Sequence, residues 1–301
     1  MQRPVRLLFS GLVAFSLLAA ASVTLAAHPP VGLGTADSFA VLGGTTVTNT
    51  GPTVVSGDLG VSPGSAVTGF PPGLVNNGAI HPADAVALQA QSALTTAYND
   101  AAGRPCTSDI SGTDLGTLVL TDGTYCFSSS AQLTGTLTLN GQDNPNAVFI
   151  FKVGSELTTA PASTVSLING AQACNVYWQV GSSATLGTTT TFRGSILALT
   201  SIALQTGATI VEGRALARNG AVTLDTNTIT RDTCRTATPA PPATPTPAPS
   251  VAAPTPSPDL PDTSIGGLIT ASPDRTASLA LTGLLVLAAL SLTVVFRLRR
   301  R

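Results

Sequence analysis

Hydrophobic positions fall into distinct regimes along the chain. Leu7 to Ala21 is a continuous apolar run behind Arg3 and Arg6, and it gives way to small residues ending Thr24-Leu25-Ala26-Ala27. That layout predicts a secretory signal peptide over residues 1–27, cleaved after Ala26 or Ala27; an uncleaved anchor helix is the rival, disfavoured by the shortness of the run. Over residues 28–236 apolar and small polar residues mostly alternate with a period of two, the mark of strands that bury one face. His81 through Ala102 breaks that rhythm. It places Val86, Ala90, Ala93, Leu94, Ala97 and Ala101 on one stripe, with Pro82 and Asp84 suited to a helix start and Gly103 to its stop. A helix lying against other structure is predicted there. Finally, Leu279 to Phe296 carries no charge and approaches the roughly 20 residues that cross a bilayer. Arg297, Arg299, Arg300 and Arg301 follow, so the pattern predicts a transmembrane helix over 279–296 and a cytoplasmic tail over 297–301.

Within the alternating region, four similar passes begin at Val148, Val176, Ile196 and Arg214, spaced about 18 to 28 residues apart. Short strands separated by Gly or Asn corners at such a period predict a solenoid whose coils stack about 4.8 Å apart. An immunoglobulin-like sandwich ranks second, because the Gly and Asn residues sit at matching corners rather than in hairpin turns. Each pass ends in threonines: Thr158, Thr159 and Thr164, then Thr185, Thr188 and Thr190, then Thr206 and Thr209, then Thr226 and Thr228. Stacked coils would gather them into one face. The plainer account is that β-branched Thr suits strands and solubilises an exposed sheet.

Composition narrows the function. Only 10% of residues are charged, the net charge is -1, and Lys152 is the single lysine, so no basic face exists for nucleic acid. Glu occurs only at positions 156 and 212, which excludes a charge-laced helical bundle. A polysaccharide lyase or hydrolase would need clustered carboxylates in a groove, whereas here the acids are scattered. Four cysteines in an exported chain imply two disulfides out of three connectivities; Cys106–Cys126 and Cys174–Cys234 are favoured. No CxxC spacing or nearby His supports a metal site, and no cofactor is expected.

Residues 237–278 begin with the proline tract ATPAPPATPTPAPS and read as a stiff, unfolded stalk. Leu260-Pro261-Asp262-Thr263 resembles the sorting signal at which a transpeptidase joins surface proteins to the wall. Ser264 stands where that signal has Gly, so cell-wall attachment and a plain membrane anchor both remain open.

The stretch from Ala36 to Thr230 resembles the microbial ice-binding family. The resemblance is carried by Phe39-Ala40-Val41-Leu42-Gly43, Ser56-Gly57-Asp58-Leu59-Gly60-Val61, Gly69-Phe70-Pro71-Pro72-Gly73, the helix around Asp84, Val148-Phe149-Ile150-Phe151 and Gly213-Arg214-Ala215-Leu216-Ala217, in that order. It implies a mainly β fold, a right-handed discontinuous β-solenoid of triangular section with one long α-helix alongside. It also implies that one flat side adsorbs to an ice crystal surface through Thr-Ala/Gly-x-Thr patterns. Thr206-Gly207-Ala208-Thr209 fits, as does Thr50-Gly51-Pro52-Thr53 in spelling; Thr159-Ala160-Pro161-Ala162 and Leu186-Gly187-Thr188-Thr189 fit in part. The expected site is therefore Thr159, Thr188, Thr190, Thr206, Thr209, Thr226 and Thr228, on a non-enzymatic protein exported and anchored at the cell surface. A surface adhesin of the same fold without ice activity is the alternative. Asp58 and His81 are read as structural, His28 as part of a loose N-terminus, and Arg214 and Arg218 as partners of Glu212 or Asp225.

Overall fold

The computed structural model describes residues 28–231 and Cys234. The expected signal peptide, stalk, sorting segment Leu260–Thr263, transmembrane helix and Arg tail lie outside the described residues.

Each complete pass of the chain is one rung of three short strands, the passes at the two ends of the stack being incomplete, and all pairings between rungs are parallel. Successive rungs therefore build three faces. Face a contains Ile80–Pro82, Asp58–Val61, Phe39–Gly43, the second halves of Thr209–Ala217 and Thr191–Ala198, Val176–Val180, Phe149–Val153, Gly123–Phe127 and Ser108–Asp109. Face b is a separate sheet of seven strands: Ala66–Thr68, Thr46–Thr50, Val222–Asp225, Ile202–Leu204, Ala184–Leu186, Leu157–Thr159 and Ala131–Leu133. Face c contains Leu74–Asn76, Val54–Ser56, Thr228–Thr230, the first halves of Thr209–Ala217 and Thr191–Ala198, Thr164–Ile168, Thr136–Asn140 and Val119–Leu120.

The stacking order departs from chain order at one seam. The first rung pairs with the last, Val41 beside Ala215, Val47 beside Val222 and Val54 beside Thr228. The helix, Ala85–Gly103, makes this possible by carrying the chain from one end of the stack to the other. Its 19 residues span about 28 Å, and the four residues before Ser108 add a reach of about 14 Å. Together they cover the eight spacings, about 38 Å, between the outer strands of face a.

Local chemistry sets the helix ends and its buried side. Asp84 caps the start, its carboxylate accepting from Ala87 N–H at 2.8 Å and facing His81 Nδ1 at 2.7 Å. Pro82 ends a strand rather than entering the first turn, because Ala83 takes a left-handed φ of 53° that reverses the chain. Ala90, Leu94, Ala97 and Ala101 are buried with Phe39, Leu42, Ile150, Tyr177, Leu197 and Leu216 of face a, and Ala87 is buried in the first turn. Val86, expected on that stripe, is exposed. Its place beside the seam is taken by Gln91, whose buried amide donates to Gly43 O and Ala217 O, one carbonyl on each side.

Inside the prism, the inward positions of face a stack Tyr125, Phe151 and Trp178, and Phe192 packs against Trp178 from face c; the Phe151 and Trp178 rings lie 3.9 Å apart and nearly parallel. The disulfides are Cys106–Cys126 and Cys174–Cys234. Several polar expectations are corrected. His28 is held by Asp122 at 3.0 Å. The buried guanidinium of Arg214 donates to Asp37 and Ser195 rather than to Glu212 or Asp225, because its side chain points under the N-terminal segment. Arg218 stacks over Tyr98, and Glu212 pairs with Arg193 at 2.7 Å. Asp58 keeps the structural role expected of it, accepting from Ala79 N–H at a turn.

Candidate functional site

Face a is covered by the helix, which leaves faces b and c uncovered among the described residues. On face b the triplets Ala131-Gln132-Leu133, Ala184-Thr185-Leu186, Ile202-Ala203-Leu204 and Val222-Thr223-Leu224 bury their outer members and turn the middle one outward. Strand pairing lines these up. The outward row runs Gln132, Thr158, Thr185, Ala203, Thr223, Thr48, Thr68, each residue directly beside the next. Adjacent hydroxyls come as close as 3.5 Å, between Thr48 and Thr223.

Face c carries a second row. Thr136, Thr164, Thr191, Thr209 and Thr228 are in register on five successive rungs, followed by Val54 and Leu74. Here the sheet is less regular: the strands Thr191–Ala198 and Thr209–Ala217 bend round into face a with a register shift between Phe192 and Gly194. The Arg193–Glu212 ion pair sits in that bend.

Between b and c runs an edge at which every rung turns sharply. Gly135, Ala162, Thr189, Gly207, Thr226 and Gly51 all take positive φ there. For β-branched Thr189 and Thr226 this conformation is uncommon. Gly51 has no such freedom to vary, since a Cβ at that position would collide with the Thr226 hydroxyl. Asn227, buried, is the hub of the edge: its amide donates to Gln205 O and Ala208 O, and its carbonyl accepts from Asp225 N–H.

The threonines singled out from the sequence are distributed over all three environments. Thr159 and Thr190 point inward, 7% and 0% exposed, and share a hydrogen bond of 2.8 Å. Thr159 occupies a place in a ladder otherwise made of Leu133, Leu186, Leu204 and Leu224, and its hydroxyl is satisfied by Gly187 N–H and Thr190. Thr188, Thr206 and Thr226 lie on the b–c edge, where Thr206 and Thr226 both donate to the Asp225 carboxylate. Of the expected site only Thr209 and Thr228 share a face, and it is c; Thr158 and Thr185, which end their passes but were not part of that site, stand side by side on face b. The period-two parity that would have aligned them is interrupted by the corner in the middle of each pass. Sequence reasoning passed over Thr48, Thr68 and Thr223, although the signal was present in the apolar-x-apolar triplets.

Charge is sparse on face b. The central row contains no ionisable side chain; Glu156 and Asp225 flank it, and Asp225 is occupied by the two edge hydroxyls. Asp114 lies near the Ala131–Leu133 end. Burial pushes its pKa up, but the Gly116 amide and the Thr134 hydroxyl and amide outweigh that and hold it below the usual value. No group of three or more His, Cys, Asp and Glu among the described residues could hold a metal. The arrangement offers rows of methyl and hydroxyl groups on a fixed repeat and little else.

A family model described as ice-binding-like matches residues 41–230. An ice-binding protein of Nostoc sp. (strain HG1) is 60% identical over 197 residues, which is 65% of this chain and 72% of that protein. A crystal structure of an ice binding protein from an Antarctic biological consortium matches with a TM-score of 0.66 and 49% identity, over 68% of this chain and 92% of that one. The ice-binding protein of the Antarctic ascomycete Antarctomyces psychrotrophicus matches with the same TM-score at 42% identity, over 68% of this chain and 99% of its own. With the discontinuous three-faced stack, the flanking helix and a family match that spans most of the described residues, the chain belongs to the ice-binding-like family.

Proposed function

We propose that the domain adsorbs to ice through face b and is held at the cell surface by the apolar segment 279–296. The observation that supports face b is its outward row on seven strands paired in unbroken register, with no ionisable group along it. A single hydroxyl that exchanges one water for another contributes only about 0.5–1.5 kcal/mol, so adsorption must sum many weak groups already in place. Stacked strands fix the backbone at about 4.8 Å, and Thr has a stiff χ1. Methyls and hydroxyls therefore stand in rows before contact and lose little entropy on it. In this mechanism the methyls order a water layer, the hydroxyls anchor it, and the layer merges with the lattice.

Face c is the second reading, favoured by five uninterrupted threonines. The two readings are separated by thermal hysteresis and by partition into a growing ice hemisphere. Thr185→Tyr with Thr223→Tyr blocks b; Thr164→Tyr with Thr209→Tyr blocks c. The face-b variant is expected to lose about tenfold or more in adsorption, equivalent to about 1.4 kcal/mol, and the face-c variant to stay within about twofold, under 0.5 kcal/mol. The reverse result would transfer the function to c. A wild-type domain that neither shapes crystals nor enters the ice would replace this reading with that of a surface adhesin.

A further inference from the structure

Each rung runs through a, b and c in that order, so the c–a edge is the vertex opposite face b. Both ends of the described chain lie on it. At the N-terminal side, His28 is bonded to Asp122, which stands between the face-c strand Val119–Leu120 and the face-a strand Gly123–Phe127. From there Pro29 O accepts from Arg104, and Asp37, at the other end of this segment, accepts from Arg214 and Arg231.

At the C-terminal side the last face-c strand ends at Thr230, and Arg231 N–H donates to Ser56 O. Cys234 is then bonded to Cys174, in the short turn Ala173–Asn175 that joins Thr164–Ile168 of face c to Val176–Val180 of face a. That turn is three strand spacings from the last face-c strand, about 14 Å along the same edge. Three residues reach about 10 Å, and the bridge adds its Cα–Cα separation of 5.4 Å.

The position of this bridge has a mechanical meaning. Thr228–Thr230 is three residues long and sits at the seam between the last rung and the first. A pull transmitted directly to it would peel the stack where chain order is broken. Through Cys174 the pull enters the uninterrupted part of the stack instead.

Resting on the ice reading of face b, we propose that the c–a edge is the attachment edge of the domain, and that Cys174–Cys234 is its clamp. The chain beyond residue 234 then leaves the domain at the vertex opposite face b. Face c borders the attachment edge.

The test uses the full-length chain in detergent, fixed to beads through a C-terminal biotin or through the thiol of a Thr223→Cys variant; all four native cysteines are in disulfides. C-terminally held protein is expected to capture ice within about twofold of the free protein, and protein held through residue 223 to lose about tenfold or more. Free protein that adsorbs while the C-terminally held form does not would overturn the attachment edge alone. Free protein that does not adsorb would overturn the ice reading and this inference with it. The Cys174→Ser, Cys234→Ser double variant, held by its C-terminus, is expected to adsorb normally at rest and to lose retention several-fold under flow. Retention equal to wild type would overturn the role of the clamp.

Discussion

Faces b and c are made by the same rungs, and both display threonine at the same repeat. They differ in continuity. Face b is a sheet of its own with strands that begin and end at corners, and its pairings keep one register from Gln132 to Thr68. Face c shares strands with face a, shifts register between Phe192 and Gly194 and carries an ion pair in the bend. On the proposed mechanism, five consecutive threonines are therefore not enough to make the contact surface. An ordered water layer needs an uninterrupted plane, and a half-buried ion pair at the bend interrupts it with strongly hydrated charge.

The comparison can be broken most severely from inside. Trp178→Ala removes the ring that stacks on Phe151 and donates to Arg193 O, and it should cost about 3–5 kcal/mol, read by chemical denaturation. Because the cavity lies under both faces, adsorption should fall for either. A smaller effect is expected at the edge that holds b and c at their fixed angle. Asn227→Ala takes the side-chain donor from Ala208 O, one of two donors from Gln205 O and the acceptor from Asp225 N–H, and should cost about 1–3 kcal/mol. Smaller again is Ala203→Thr, which fills the apolar gap in the face-b row. It should raise partition into ice by about twofold, equivalent to roughly 0.4 kcal/mol. No gain would mean that the row is not the contact surface.

The mildest effect is the pH response. The Ala87 amide and His81 hold the Asp84 carboxyl below its usual value, and Arg104 does the same for Asp100. A carboxyl whose folded pKa is depressed contributes stability above its unfolded value and loses it as pH falls through the folded one, so acid weakening should begin only below about pH 4. Burial pushes Tyr177 up to about 12. Its unfolded form ionises near 10, so that contribution is complete below about pH 10 and is lost above it. Between those limits adsorption should be flat, since the central row of face b has nothing to titrate. A step near neutrality in the hysteresis profile would implicate a surface other than b.

Much of the domain was legible in the chain because its causes are local. Alternation marked the strands, Asp84 and Gly103 marked the helix, and recurrence of the passes marked the stack. The helix boundary moved because Ala83 adopts a left-handed turn that propensity does not reveal. The candidate site was less legible. Thr158 and Thr159 are neighbours of identical chemistry, yet one faces solvent and the other replaces a leucine in the core. Thr48 and Thr68 lie far from the C-terminal passes in sequence and reach the row only because the first two rungs stack on the last.

The sequence by itself determined that threonines recur at the period of a rung, since that period is written in the spacing of apolar residues that must be buried together. Only the tertiary structure decided which threonines form a surface. The corner between faces b and c resets the inward–outward parity in the middle of each pass, and the seam between first and last rungs joins residues that no local pattern connects.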